Sequence, residues 1–165
     1  MAARREVEII ALHVSPVHAY EGRPSDGPRP DPGPVSPDHV DVRARSGIVG
    51  DRYFNHPAHR NAAVTLIAAE SLDPWPVDPL VARRNVVVRG FDVDSLARGT
   101  VFSLDTGDGP VRFEVHRPAN PCAWMDAVIA PGAFKALRGK GGIRCVPLDD
   151  GVLRAGKAAL AIVSA

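Results

Sequence analysis

The chain is expected to fold as a mainly β (α+β) domain, a strand-rich barrel or sandwich with short helices as inserts. Short alternating or β-branched runs recur along it at close spacing, which is the pattern of an all-β framework. Its 16 prolines and 15 glycines make up about a fifth of the sequence, against roughly 12% in average usage, and so exclude long helices. At 165 residues the length fits one domain, residues 1–165, able to bury a core without disulfides or a structural metal.

Val7–Val14 is short, mostly apolar and stopped by Ser15-Pro16, as a buried strand would be. Residues 21–38 contain six prolines, three glycines and three aspartates and hardly an apolar side chain, so a long proline-rich loop is expected. His39–Arg45 alternates Val40, Val42 and Ala44 with Asp41, Arg43 and Arg45 as a half-exposed strand. A polar loop over Ser46–Asn61 leads to a strand at Ala62–Ile67, and Ala68–Leu72 offers one or two helical turns before Pro74, Pro76 and Pro79 forbid continuation. Asn85–Val88 reads as a strand and Asp92–Leu96 as one helical turn. Thr100–Leu104 and Val111–His116 are strands of a hairpin turned by Thr106-Gly107-Asp108-Gly109. Cys122–Ile129 and Gly132–Arg138 are expected as two short helices split by Pro131-Gly132, and strands return over Ile143–Leu148 and Lys157–Val163. About eight strands result.

Charge excludes some functions. With 20 Lys+Arg against 19 Asp+Glu there is no global basic excess for nucleic acid. No apolar run approaches the ~20 residues of a membrane span. Met1–Glu6 has two arginines but no apolar stretch or cleavage site of a secretory leader, so a cytoplasmic chain is expected. Two cysteines, Cys122 and Cys145, are too few for a disulfide framework and fit a reducing compartment.

The sharpest local constellation is Arg117-Pro118-Ala119-Asn120-Pro121-Cys122-Ala123-Trp124. Two prolines fix the approach to Cys122, and the cysteine falls where a strand hands over to a helix. Unpaired N–H groups and the macrodipole there favour a thiolate, the form that attacks electrophiles or binds soft metals. An inert buried cysteine is the competing reading, and the spacing leaves the two level. Cys145, within the strand-like Ile143–Val146, is expected to be buried and unreactive.

Basic residues collect in three further segments. Gly47–Tyr53 has turn-forming glycines and an Asp51-Arg52 pair, Arg83-Arg84-Asn85 enters a strand, and Arg138–Arg144 is a glycine-rich basic loop without the spacing of a phosphate-binding P-loop. Each alone reads as an ordinary connection. If Arg52, Arg83, Arg84, Arg138, Lys140 and Arg144 converge, a phosphate-bearing ligand fits them. His56-Pro57-Ala58-His59 has ligand-like spacing but no further Cys or acid at zinc-finger distance, so zinc is not expected. His13 and His116 sit among apolar strand positions and read as satisfied strand histidines.

Taken in order, Gly50-Asp51-Arg52, Ala63–Ile67 with Glu70, Arg84–Gly90, Asn120-Pro121-Cys122 and Arg138–Arg144 resemble the MOSC family, named for the C-terminal domain of molybdenum cofactor sulfurases. The resemblance runs from Val7 to Val163 and rests on the ordered set. It implies a closed β-barrel with short peripheral helices that binds or acts on the molybdenum cofactor, molybdopterin carrying molybdenum. Cys122 matches the family's characteristic cysteine, the metal ligand in some members and a persulfide carrier in others. By the same resemblance Arg52, Arg84 and Arg144 are expected to contact the cofactor's phosphate and pterin, with Asn85 and Asn120 as neutral partners. Asp51 is expected to orient an arginine or reach a molybdenum-bound water as a catalytic group.

Two departures stand out: Tyr53 occupies a position where many relatives have His, and the tract at 21–38 has no family counterpart. The chain is too short for the aminotransferase-like domain of the full sulfurases, so no pyridoxal phosphate is expected. The leading expectation is a cofactor-binding protein, with Cys122 on molybdenum, supporting reduction of N-hydroxylated compounds with an electron-donor protein. The alternatives are a sulfur-carrier or cofactor-delivery module charged on Cys122 by a cysteine desulfurase, and a small barrel that binds another anion with Cys122 merely structural. Neither nucleic acid nor a membrane is expected as a partner.

Overall fold

The computed structural model describes residues 3–164. Seven strands close a barrel in the order β1 (Arg4–Leu12), β10 (Gly156–Ser164), β6 (Val101–Asp105), β7 (Pro110–Pro118), β8 (Ile143–Pro147), β4 (Val64–Ala68) and β5 (Val86–Arg89), with β5 pairing back to β1. Every neighbouring pair is antiparallel except β4 and β5, which run parallel with Leu66 opposite Val86. β2 (His39–Arg43), β3 (Gly47–Ile48) and β9 (Gly151–Arg154) form a separate sheet in the order β3-β2-β9. The expected closed barrel is therefore present, and the count rises from about eight strands to ten among the described residues. The two extra strands, β3 and β9, have two and four residues, too few for alternation to show.

Residue pattern explains which faces are buried. In β7, Val111, Phe113 and Val115 point inward and Arg112 and Glu114 outward, the period of two expected of a strand with one wet face. β4 is buried at all five positions: Val64, Leu66 and Ala68 join the barrel core with Val86, Val88, Phe102 and Phe113, while Ile67 and Val87 face a second cluster containing Trp124, Met125, Ala133 and Leu137. That second cluster seats the two helices, α1 (Trp124–Val128) and α2 (Ala133–Ala136), both shorter than the sequence pattern predicts. The small sheet caps the barrel through Val40, Val42, Ile48 and Leu153, which belong to the main core.

The proline-rich tract is pinned to the barrel. Arg83 makes two bonds to Asp31, at 2.9 and 3.1 Å, and a third to the Val17 carbonyl. Asp31 also accepts the Ser15 hydroxyl, and the Val14 N–H bonds the Val35 carbonyl. The tract's one interior carboxylate is thus an anchor, a role that composition does not reveal.

His13, just past β1, differs from a satisfied strand histidine. It is 1% exposed, and its Nδ1 has no hydrogen-bond partner. Burial, reinforced by the charges of Arg83 and Arg52, lowers its pKa to about 4. A histidine that charges more readily unfolded than folded favours unfolding as pH falls below its ordinary value near 6.5. Urea unfolding of wild type should therefore lose about 2 kcal/mol more than that of His13→Leu between pH 7 and pH 5. Equal losses in the two proteins would show that His13 is not held neutral.

Candidate functional site

The chemistry gathers at one level on the side of the barrel, where strand ends meet in register. β1 ends and β5 starts from one direction, β7 ends and β8 starts from the other, and the pairings Leu12–Val86, Leu66–Val86, Leu66–Ile143 and Pro118–Ile143 bring all four together beside β4. β1 leads there to His18, Ala19 and Tyr20, β5 is preceded by Arg83 and Arg84, β7 leads to Asn120 and Cys122, and β8 carries Arg144 as its second residue. With Arg52, Tyr53, Ala82 and Met125 these residues line a cleft of about 230 Å³. A cleft of about 470 Å³ adjoins it across Asn120, and clefts of about 520 and 680 Å³ lie elsewhere. None of them holds a thiol or more than two arginines, so chemistry and not volume singles out the smaller one.

Cys122 is exposed and Cys145 is buried, both as free thiols. Cys122 precedes Ala123, the N-cap of α1, and α1 is only five residues long, so the expected helix-dipole effect is slight and exposure is what makes this sulfur available. Cys145 is fully buried with its Sγ 3.4 Å from the Val64 carbonyl, and burial pushes its thiol well above the usual range.

The four cleft arginines are held in different ways. Arg52 bonds Asp51 Oδ1 at 3.3 Å and the Arg83 carbonyl at 3.2 Å, with its guanidinium 4.6 Å from the Tyr53 ring centre. Arg83 is paired with Asp31. Arg84 donates to three carbonyls, Nε to Gly141 at 2.9 Å, Nη1 to Ala82 at 3.1 Å and Nη2 to Ala119 at 3.0 Å; burial and then the charge of Arg144 lower its pKa to about 10. Arg144 lies 5.0 Å from the Tyr53 ring centre, and its Nη1 is buried without a partner. Among the described residues neither Arg84 nor Arg144 forms an ion pair, so two of the four cations are uncompensated.

Tyr53 stands at the centre of this arrangement. Besides the two guanidiniums, His59 and His18 meet its ring edge-on at 4.7 and 5.3 Å between centres, and His56 meets His59 at 5.0 Å. Burial alone would raise the Tyr53 hydroxyl, but the adjacent Arg144 and Arg52 bring it below the usual phenol range. Burial, and then the charge of Arg52 on His18 and of Arg144 on His59, lowers both histidines.

Of the residues predicted from sequence, Cys122, Arg52, Arg84, Asn120 and Arg144 line the cleft, whereas Asp51 and Asn85 do not. The Asp51 side chain is wholly buried and is occupied by the Ser15 and Tyr53 N–H groups and by Arg52; burial raises its pKa against those partners. It orients an arginine from behind and does not reach into the cleft. Asn85, also fully buried, accepts from the N–H and hydroxyl of Thr65 and donates to the His13 carbonyl, tying β1, β4 and β5 together. Arg138 stacks on Phe134 and Lys140 lines a different cleft, so the glycine-rich basic loop delivers only Arg144. The wall formed by His18 and Tyr20 carries no motif and is visible only once the chain leaving β1 is placed.

The fold and the cleft define a small closed-barrel domain with one free thiol and four arginines at a single site. The family model described as the MOSC domain matches residues 51–159, well over half of the chain, and the protein belongs to that family, which is generally linked to the molybdenum cofactor. The fold is similar to that of APC1665, the YuaD protein of Bacillus subtilis, with a TM-score of 0.71 at 17% identity, covering 99% of this chain and 100% of that one. It is also similar to YiiM from Geobacillus stearothermophilus, with a TM-score of 0.64, 18% identity and coverage of 96% and 75%, and to YiiM from Escherichia coli, with 0.60, 16%, 96% and 70%. No curated protein matches at a significant level.

In the folded protein one thiol should react with Ellman's reagent and the second only in denaturant. Cys122→Ser should abolish the fast reaction entirely; a fast reaction that survives would place the accessible thiol at Cys145.

Proposed function

We propose that this cleft binds the molybdenum cofactor, with Cys122 as the protein ligand of the metal. The supporting observation is the pairing of one exposed thiol with two uncompensated guanidiniums, Arg84 and Arg144, one of which has a buried N–H still seeking an acceptor. A phosphate monoester carries nearly two negative charges at neutral pH, which matches two free cations. A thiolate suits a soft metal centre. Among the described residues no three His, Cys, Asp or Glu side chains are grouped to hold a metal ion, so the donor set fits a metal brought in by an organic cofactor and needing a single protein ligand.

In this reading Arg144 and Arg52 take the phosphate and Arg84 adds positive potential from beneath. Asn120, exposed at the cleft edge, offers both a donor and an acceptor to the pterin ring. Tyr53 and Asp51 hold the two contact arginines in place, which lowers the ordering cost of binding. When bound, the cofactor supplies two-electron redox chemistry at molybdenum. Reduction of an N-hydroxylated compound takes up two electrons and two protons and releases water, and His18, at the cleft and kept neutral by its lowered pKa, can relay a proton from solvent by accepting at one ring nitrogen while donating from the other. The electrons come from a donor protein.

Exposure of Cys122 equally favours a second reading, a sulfur carrier without turnover of its own. Incubation with a cysteine desulfurase and cysteine, followed by mass spectrometry, should then find one added sulfur atom on Cys122.

The deciding measurement is metal analysis after reconstitution with the molybdenum cofactor. Wild type should retain molybdenum at close to one atom per chain, Cys122→Ser should fall about tenfold or more, and Arg144→Met should bind more weakly by a similar factor, as expected for loss of a charge-assisted contact. Folded wild type that stays free of molybdenum would overturn the reading.

A further inference from the structure

The three carbonyls bonded by Arg84 belong to three separate places: Ala82 in its own turn, Gly141 in the loop before β8, and Ala119 in the segment that leads to Cys122. The last two are themselves in intimate contact. The Ala119 N–H bonds the Gly142 carbonyl at 2.9 Å, and a Cβ on Gly141 would lie 2.3 Å from the Ala119 carbonyl oxygen and 2.9 Å from Pro121 Cδ. Gly142 is held from the other side, with its N–H on Asp94 at 2.9 Å and its φ at +93° against the Leu66 carbonyl. Ala119, Gly141 and Gly142 are all buried, so removal of the guanidinium leaves two acceptors without their donor in a place water reaches poorly.

We infer that Arg84 is a positioning residue, a three-way clamp that locks the Cys122 segment onto the Gly141-Gly142 loop and thereby fixes where the thiol stands relative to Arg52 and Arg144. A planar guanidinium can reach the Ala119 and Gly141 carbonyls together because its donors diverge from one rigid plane; a lysine ammonium at the end of a flexible stem cannot hold both in one geometry. The inference rests on the cofactor-site reading only for its purpose, since the clamp is a property of the empty protein and its test needs no cofactor.

The test is hydrogen exchange of the amides, measured beside the rate of Cys122 alkylation, in wild type, Arg84→Lys, Arg84→Met and Gly141→Ala. Cys145 serves as the internal report on the barrel, because it reacts only if the fold opens. In Arg84→Met the Ala119 amide should exchange about tenfold faster or more and the Cys122 alkylation rate should change, while Cys145 and the amides of β6 and β7 keep wild-type protection. Arg84→Lys should recover less than half of the lost protection. Gly141→Ala, with Arg84 intact but the loops forced apart, should reproduce the Arg84→Met pattern. Unchanged exchange at Ala119, full rescue by lysine, or a uniform loss of protection that also exposes Cys145 would each overturn the clamp. If Arg84→Met cannot be obtained folded, Arg84→Lys and Gly141→Ala decide the question by the same criteria. Failure of cofactor binding in wild type would leave these exchange rates unaffected, so the two ideas fail separately.

Discussion

The parallel pairing of β4 with β5 is the constraint from which the site follows. In a barrel whose other neighbours are antiparallel, one parallel pair obliges the chain to travel back along the outside before β5 can begin. Residues 69–85 make that return in two 3₁₀ turns, and they deliver Arg83, Arg84 and Asn85 to the level of Leu66, where β1 ends and where, from the opposite direction, β7 gives way to the segment of Cys122. A hairpin in place of the crossover would put the same three residues at the opposite end of the barrel. The return path also covers the outer face of β4 and β5, which is why those strands carry apolar residues on both sides.

At this level the polar residues sort into those that hold the structure and those left over. Asn85 and Thr65 satisfy each other and the His13 carbonyl. Asp31 neutralises Arg83 and ties the proline-rich tract to it. Asp51 neutralises Arg52 while accepting two backbone N–H groups. Leaving a buried charge unpaired is costly, and most of this region avoids it. Arg84 limits its cost by donating to three carbonyls, which solvates the guanidinium without cancelling its charge. Arg144 is compensated least, by an aromatic face and no carboxylate. The surplus positive charge of Arg84 and Arg144 therefore lies in the cleft that Cys122 also lines, in a chain whose net charge is only +1.

How much of this is legible in the residues depends on the range over which each feature is encoded. β7 announces itself because Val111, Phe113 and Val115 alternate with charged residues within one strand. The barrel is legible because many such segments recur, and Cys122 because two prolines and an asparagine precede it. Asp31 is hidden in a tract whose composition looks like linker, since its significance lies in Arg83, 52 residues away. Asn85 and Asp51 are correctly singled out as unusual but for another reason: a polar residue at the start of an apolar strand, or beside an arginine, marks a buried network as readily as a ligand contact. His18 and Tyr20 carry no local signal at all, because what makes them part of the site is the direction in which the chain leaves β1.

Tyr53 organises the cations of the site. Directly after Asp51-Arg52 this chain has a phenol whose ring takes the guanidiniums of Arg52 and Arg144 and whose edges meet His18 and His59. A large electron-rich ring attracts cations to its face, so Tyr53 can keep two arginines close together despite their mutual repulsion, which an imidazole able to take up a charge would do less well. The histidines lie at the edges of that ring, where partial burial and then the charge of Arg52 on His18 and of Arg144 on His59 hold them below their ordinary pKa. Orientation of the cations and availability of a neutral base, which one imidazole would have to combine, are thus divided here between Tyr53 and the histidines packed against its edges.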